Sequence, residues 1–409
     1  MADEVIRDRE ELRQTLVRRT LEEQAYHETS AYILRQKEKR RDRFRDVLTG
    51  IALIFVLAAG ILLYAHNYTY STYHLDELSA LGDLQKTQLY PFGIGTLAVG
   101  IDSVTYLEND TVKWTQSLSF DDPILVKKGS FFALCDRNGY EFHIGDRSGI
   151  LATSRVSRRI RGLDISSAGV TAVFTETNDA AYITYFDRFG NRLQVEVKTV
   201  FTASGYPLNI ALSPDGQKLL VNFYSLQNGI GESRTVLYDF QNGKSSEAYA
   251  AYKIEDYYDD GTLIMDAAFF DNTHAAVVGD REIRFLTYSY VKKVEVSETV
   301  ISLSDNVRSV LFSDSHLLVT EDTAAGCVCT VYSSEGRVKS RFIVPTDYDA
   351  VAFNDKSLVF LSGNGCVYYN ISGRKRYEGM LVGKPVSSVL LNRSLIINTG
   401  EALQKLTFK

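Results

Sequence analysis

From about residue 89 onward the chain repeats a unit of about 40 residues, and no other feature limits its fold as strongly. Four segments join an aromatic strand to a glycine-closed turn and then a polar strand: Tyr185 with FDRFGNRLQ, Tyr238 with DFQNGKSS, Tyr332 with SSEGRVKS and Tyr369 with NISGRKRY. Phe142 with HIGDRSGILA is a looser copy. The turn glycines Gly149, Gly190, Gly243, Gly336 and Gly373 are 41, 53, 93 and 37 residues apart, and the gap of 93 holds two units, one degenerate near Thr287. A second signature comes earlier in each unit. It is clearest at Asn209, where a strand runs into Ser213-Pro214-Asp215-Gly216 and a second strand follows. Proline presets φ in such a turn, aspartate caps it, and glycine takes the positive φ. Looser copies begin at Met265, Val307, Tyr348 and Val386.

Four short strands per unit make one blade, and a ring of blades is an all-β propeller. Units starting near 89, 123, 159, 206, 262, 306, 348 and 386 favour eight blades; seven is the alternative if the first and last pieces share a sheet. The last unit shows only three strands. A strand from residues 80–90 is expected to complete it and remove the free edge.

Ahead of the repeat, residues 47–65 read VLTGIALIFVLAAGILLYA and carry no charge. At about 1.5 Å per residue such a helix spans roughly 28 Å, close to the thickness of the hydrocarbon core. It lacks a polar face, and 46 residues precede it, too many for a cleaved leader. Arg35, Lys37, Lys39, Arg40, Arg41, Arg43 and Arg45 lie just before it, and the first lysine after it is Lys86. The excess of cations on one flank predicts a cytoplasmic N-terminus and an extracytoplasmic C-terminal part. The chain thus divides into a charged helical arm (1–46), a transmembrane helix (47–65), a stalk (66–88) and the propeller (89–409).

Residues 1–47 hold 12 Lys/Arg and 11 Asp/Glu, which leaves 33 basic and 40 acidic groups for the rest of a chain of net charge −6. That balance excludes a nucleic-acid binder as the default. The arm has no Pro or Gly and only a weak apolar stripe, so it reads as a solvated helix, with a cytoplasmic partner as the alternative.

Ser213-Pro214-Asp215-Gly216 followed by Lys218-Leu219-Leu220-Val221 resembles the blade turn of WD-repeat and TolB-like propellers. The whole layout of charged arm, single span and Tyr-rich degenerate propeller is similar to a family of uncharacterised membrane-anchored propeller proteins of Gram-positive bacteria, a domain of unknown function. The resemblance implies this architecture and a cell-surface location, and brings no catalytic residues.

Chemistry is sparse along the chain. Cys327 and Cys329 share one face of a strand but have no second pair or nearby His, so buried strand thiols are the favoured reading over zinc, as for Cys135 and Cys366. No G-x-S-x-G or HExxH occurs. Glu255, Asp256, Asp259 and Asp260 would suit calcium only without an EF-hand register, so a solvated inter-blade loop is preferred. Arg155, Arg158, Arg159 and Arg161 form a basic run in an acidic domain; an exposed outer strand is the favoured reading, with contacts to an anionic wall polymer or lipid phosphate as the alternative. Propeller ligands bind on face loops; the candidates are Asn178, Asp179, Gln227, Asn228 and the 255–260 segment. The reading is a membrane-anchored scaffold, without cofactor or metal, for a protein or envelope polymer. The alternatives are a propeller enzyme acting on envelope glycan or a quinone-linked substrate, and a sensor coupling outer binding to the cytoplasmic helix.

Overall fold

The computed structural model describes residues 2–78, 83–227, 229–240, 252–257, 262–290, 294–392 and 394–409. It forms two units, one ending at Tyr68 and one running from Thr69 to Lys409.

The first unit is one helix, Ala2–Asn67, continuous through the charged arm and the apolar run. Glu, Arg, Gln and Leu sustain it, and no proline interrupts it. Ile54, Phe55, Val56 and Ile61 are all at least two-thirds exposed. Among the described residues no helix is long and apolar enough to cross a membrane.

The second unit is a ring of eight blades, each a four-stranded antiparallel sheet. Blades 1 to 7 occupy residues 88–117, 123–155, 160–200, 206–257, 264–302, 307–344 and 350–380. Blade 8 takes three strands from 387–408 and its fourth from Tyr73–Glu77. Within blades 1 to 7 the strands lie in sequence order, and the first strands of blades 2 and 3, 3 and 4, 4 and 5, 7 and 8, and 8 and 1 contact one another. The first strand is therefore the innermost and lines the channel. All eight inner strands run in one sense along the channel. We call the face where they begin the upper face and the face where they end the lower face.

Flat sheets set around an axis diverge outward, and bulky side chains fill the wedges between them. The abundance of Tyr and Phe follows from this need. Eight clusters of buried side chains each bridge two successive blades, including blade 8 with blade 1. Between blades 1 and 2, Phe92 lies edge-on to Phe132 at 5.4 Å, and Trp114 stacks on Phe132 at 6.2 Å. Each fully buried ring of this kind contributes about 1.5–3 kcal/mol.

The turn glycines meet two demands at once. Gly336 and Gly373 have φ of 79° and 81°. A Cβ on Gly373 would stand 2.3 Å from the Phe342 ring of the blade before it, and one on Gly336 would stand 2.8 Å from Phe285. These two turns thus seat on an aromatic ring of the preceding blade, whereas Gly190 faces Ser154 and Ala152. Gly243 lies outside the described residues.

The closing strand is not where the repeat pattern placed it. Instead of residues 80–90, it is Tyr73–Glu77, inside the segment read as a stalk. Its register sets Tyr73 opposite Phe408 and Glu77 opposite Gln404. The Tyr70 ring lies 5.8 Å from Tyr368 and 5.9 Å from Phe408, and Tyr73 lies 6.0 Å from Tyr377. The Lys409 and Thr72 backbones hydrogen-bond each other. As a fourth strand it runs from lower to upper face, so the chain joins the ring at the lower face.

Candidate functional site

Alternation of strands and turns sorts the loops. Connections from the second strand to the third, and from one blade to the next, emerge on the upper face. The remaining turns emerge on the lower face. The described candidate residues from the sequence therefore belong to one face, the upper. Asn178 and Asp179 form the exposed tip between the second and third strands of blade 3, where Asp179 accepts from Thr177 Oγ1 at 2.8 Å. Gln227 ends the strand Lys218–Gln227, and Glu255 and Asp256 lie in the strand Tyr252–Tyr257. Their side chains, and all of Asn228, Asp259 and Asp260, lie outside the described residues, as does the calcium reading that rests on them.

The basic run bridges blades 2 and 3 and divides by environment. Arg155 ends its strand exposed. The Arg158 guanidinium lies 3.7 Å from the centre of the Tyr182 ring, with Lys198 Nζ over the same ring at 5.5 Å. Arg159 Nε donates to Tyr140 Oη at a long 3.4 Å. Arg161 is engaged within the fold, by Glu176 and Asn138. Glu176 also accepts from Tyr206 Oη at 2.5 Å. Burial first, then that carboxylate, pushes the Tyr206 phenol up to about 12. Of the four arginines, Arg155, Arg158 and Arg159 keep no ion pair among the described residues.

The inner strands of four successive blades carry a register shift near their upper ends, between Ile160 and Gly162, Pro207 and Asn209, Ile264 and Asp266, and Val307 and Ser309. A bulge leaves one residue out of the ladder and re-aims it, and bulges concentrate beside functional sites. The residues displaced are Arg161, Leu208, Met265 and Arg308. Leu208 and Met265 are 39% and 49% exposed, unusual for apolar residues on an innermost strand. Arg308 is braced by the Thr346 carbonyl, by Asp322 at 3.6 Å and by the Tyr348 ring at 4.6 Å.

Further down the channel the lining becomes charged. Asp266 is open to solvent and Asp164 partly so. Burial nevertheless raises both carboxyls, since channel walls surround them. Asp164 accepts from Leu212 N at 2.6 Å and Ile165 N at 2.8 Å. At the lower mouth Lys128 reaches from blade 2 to the Leu212 carbonyl of blade 4, at 2.8 Å. It thus lies across the channel wall of blade 3. Burial lowers both Lys127 and Lys128, and Asp314 of blade 6 opposes that shift. Asp314 sits in the turn after the inner strand of blade 6, and for Lys128 the stronger opposing charge is Asp164 of blade 3.

The thiols of Cys135, Cys327, Cys329 and Cys366 are free and buried. Burial pushes Cys135, Cys329 and Cys366 to about 12, so none presents a thiolate. Among the described residues no His/Cys/Asp/Glu group has the arrangement of a metal site.

Sequence reasoning missed Glu176, Tyr182, Lys198, Tyr206, Leu208, Met265 and Arg308. A bulge has no residue signature in these strands: Leu208 and Met265 read as ordinary inward strand residues.

The chain belongs to the family of unknown function DUF5711, whose model matches residues 66–407. That match begins ahead of the closing strand and takes in all eight blades but for Phe408. No curated protein matches in sequence. Among solved structures, apo AztD from Citrobacter koseri is similar with a TM-score of 0.50 and 11% identity, over 74% of this chain and 88% of that one. BamB from Moraxella catarrhalis is similar at 0.46 and 11%, over 82% and 100%. Kluyveromyces lactis Hsv2 is similar at 0.46 and 11%, over 72% and 100%. At these identities the likeness is one of fold.

Proposed function

We propose that this DUF5711 member is a single-pass, membrane-anchored binding platform whose ring lies outside the cytoplasm and engages a protein or envelope polymer through its upper face. Residues 47–65 are the anchor and the arm before them is cytoplasmic. Two observations support the anchor. The described apolar side chains of the helix are exposed all round, a surface that water does not tolerate and lipid does. Cations crowd one flank only. The Gram-positive cell surface implied by the sequence resemblance suits such a protein.

The observation that carries the choice of face is the topology of closure. Residues 68–72 separate the helix from the closing strand, and that strand starts at the lower face. The upper face is therefore the one remote from the attachment point. It also holds Arg155, Arg158 and Arg159, which keep no ion pair among the described residues, and the exposed tip at Asn178 and Asp179. A rigid ring with variable face loops is a general binding device.

Photo-crosslinking from intact membranes tests this. A benzoylphenylalanine placed at Asn178, on the upper face, is expected to give adducts with an envelope component. The same group at Glu335, an exposed residue of a lower-face turn, is expected to give few. Equal adducts from both positions, or adducts from Glu335 alone, would contradict the proposal.

A further inference from the structure

Resting on the upper-face reading, we infer that the ligand there is a peptide segment in which acidic side chains adjoin apolar ones. The acidic part would lie along blade 3 and the apolar part would enter the channel mouth at blades 4 and 5.

The argument starts from the order of side chains across the face. Lys198 is on the fourth strand of blade 3, Tyr182 on its third, and Arg158 in the link that leads to its first. Lys198 and Arg158 share the Tyr182 ring, which holds both cations in place without neutralising them. Arg155 and Arg159 flank this track and are exposed. No carboxylate among the described residues pairs with any of the four, so the track keeps its full positive charge. Inward, the charge stops: Arg161 is balanced by Glu176.

Beyond it the surface turns apolar. Tyr206, Leu208, Leu263 and Met265 are each 39% to 49% exposed, and Leu226 is 70% exposed. Four lie at the upper ends of strands of blades 4 and 5, and Leu263 immediately precedes the first strand of blade 5. Asn209 Nδ2 bonds the Met265 carbonyl at 3.1 Å, which fixes the bulge that aims Met265 outward. Below the mouth Asp266 and Asp164 line the channel, so a carboxylate is not favoured to descend there, whereas an apolar side chain meets Leu208 and Met265 first. A basic track ending in an apolar mouth is complementary to one chain with acids at one end and apolar groups at the other. A polyol-phosphate polymer would use the track and leave the mouth without a function, so the mouth decides for a peptide.

Fluorescence anisotropy on the full chain in detergent micelles tests this. The probe is a fluorescein-labelled peptide of Glu and Asp followed by Leu and Phe, with signal from empty micelles subtracted. It is expected to bind at least about tenfold more tightly than a peptide with Lys in place of the acids. Joint Arg158→Glu and Lys198→Glu is expected to weaken binding about tenfold and remove most of its salt dependence. Met265→Asp is expected to weaken it about tenfold with the salt dependence retained. Arg337→Glu, an exposed lower-face change, is the control for a mere change in net charge and is expected to leave binding intact. Equal binding of both peptides, or loss with Arg337→Glu as large as with the upper-face pair, overturns the inference. Binding of a glycerol-phosphate polymer that needs Arg158 and Lys198, with no binding of the acidic peptide, overturns the peptide and leaves the upper-face platform standing. Adducts from Glu335 alone in the crosslinking experiment remove the platform itself.

Discussion

At the scale of single residues, the ring depends on small contacts that repeat. Gly373 combines a positive φ with a close approach to Phe342. Gly373→Ala places a Cβ into that ring and strains the backbone, and each effect costs about 1–3 kcal/mol. Chemical denaturation is expected to show a loss of at least ~2 kcal/mol, while alanine at Gly363, whose Cβ meets nothing, pays only the backbone part. Asp164 sets a pH dependence. Burial raises its carboxyl above 3.8, so in a window above that value the folded chain keeps a proton that the unfolded chain has released. Its contribution is most favourable below the window and declines as pH rises through it. Asp355 acts in the opposite sense. Burial alone would raise it, but hydrogen bonds from Ser313, His316 and Ser315 together hold it low, so its contribution is present above 3.8 and lost as pH falls. Denaturation of Asp164→Asn beside the wild type is therefore expected to give profiles that diverge, the wild type losing relative stability as pH rises from about 4. Parallel profiles would rule out a raised Asp164.

At the scale of elements, the blades were legible in the sequence, as was the need for a strand from ahead of the first blade to complete the last, but not which residues supply that strand. Expected unit starts at 123 and 206 coincide with Pro123 and Tyr206, and those at 262, 306 and 348 fall within two residues of Ile264, Val307 and Ala350. Turn chemistry explains the accuracy. Ser213-Pro214-Asp215-Gly216 forms its turn with Gly216 at φ 74°, and Asp215 Oδ1 accepts from Gln217 N at 3.0 Å. Such signals are local. The closing strand Tyr73–Glu77 has no turn beside it and pairs with a strand more than 300 residues away, which no local pattern encodes. The candidate site was half legible. Arginines and loop tips announce themselves by residue type, whereas the bulges that turn Leu208 and Met265 outward do not. Closure yields a direct prediction. A chain begun at residue 66 is expected to unfold cooperatively, as followed by its single Trp, Trp114. One begun at residue 79 exposes the edge of Leu403–Phe408 and the faces that Tyr70 and Tyr73 cover, and is expected to aggregate or melt far earlier. Equal melting of the two would show that the ring closes without its fourth strand.

At the scale of the whole molecule, the chain enters the ring at its lower face through residues 69–72, and the proposed anchor and upper-face platform predict which parts of the chain face the outside. The buried thiols make this testable without background. Labelling by a membrane-impermeant maleimide is expected to spare the native cysteines of folded protein and to reach them only after denaturation. The most direct measurement adds one exposed thiol at a time in intact cells, Asp179→Cys on the upper face or Arg19→Cys in the arm. Asp179→Cys is expected to label at once and Arg19→Cys only after the membrane is permeabilised. Labelling of the arm in intact cells with protection of the upper face, or recovery of both variants in the fraction free of membrane, would contradict it.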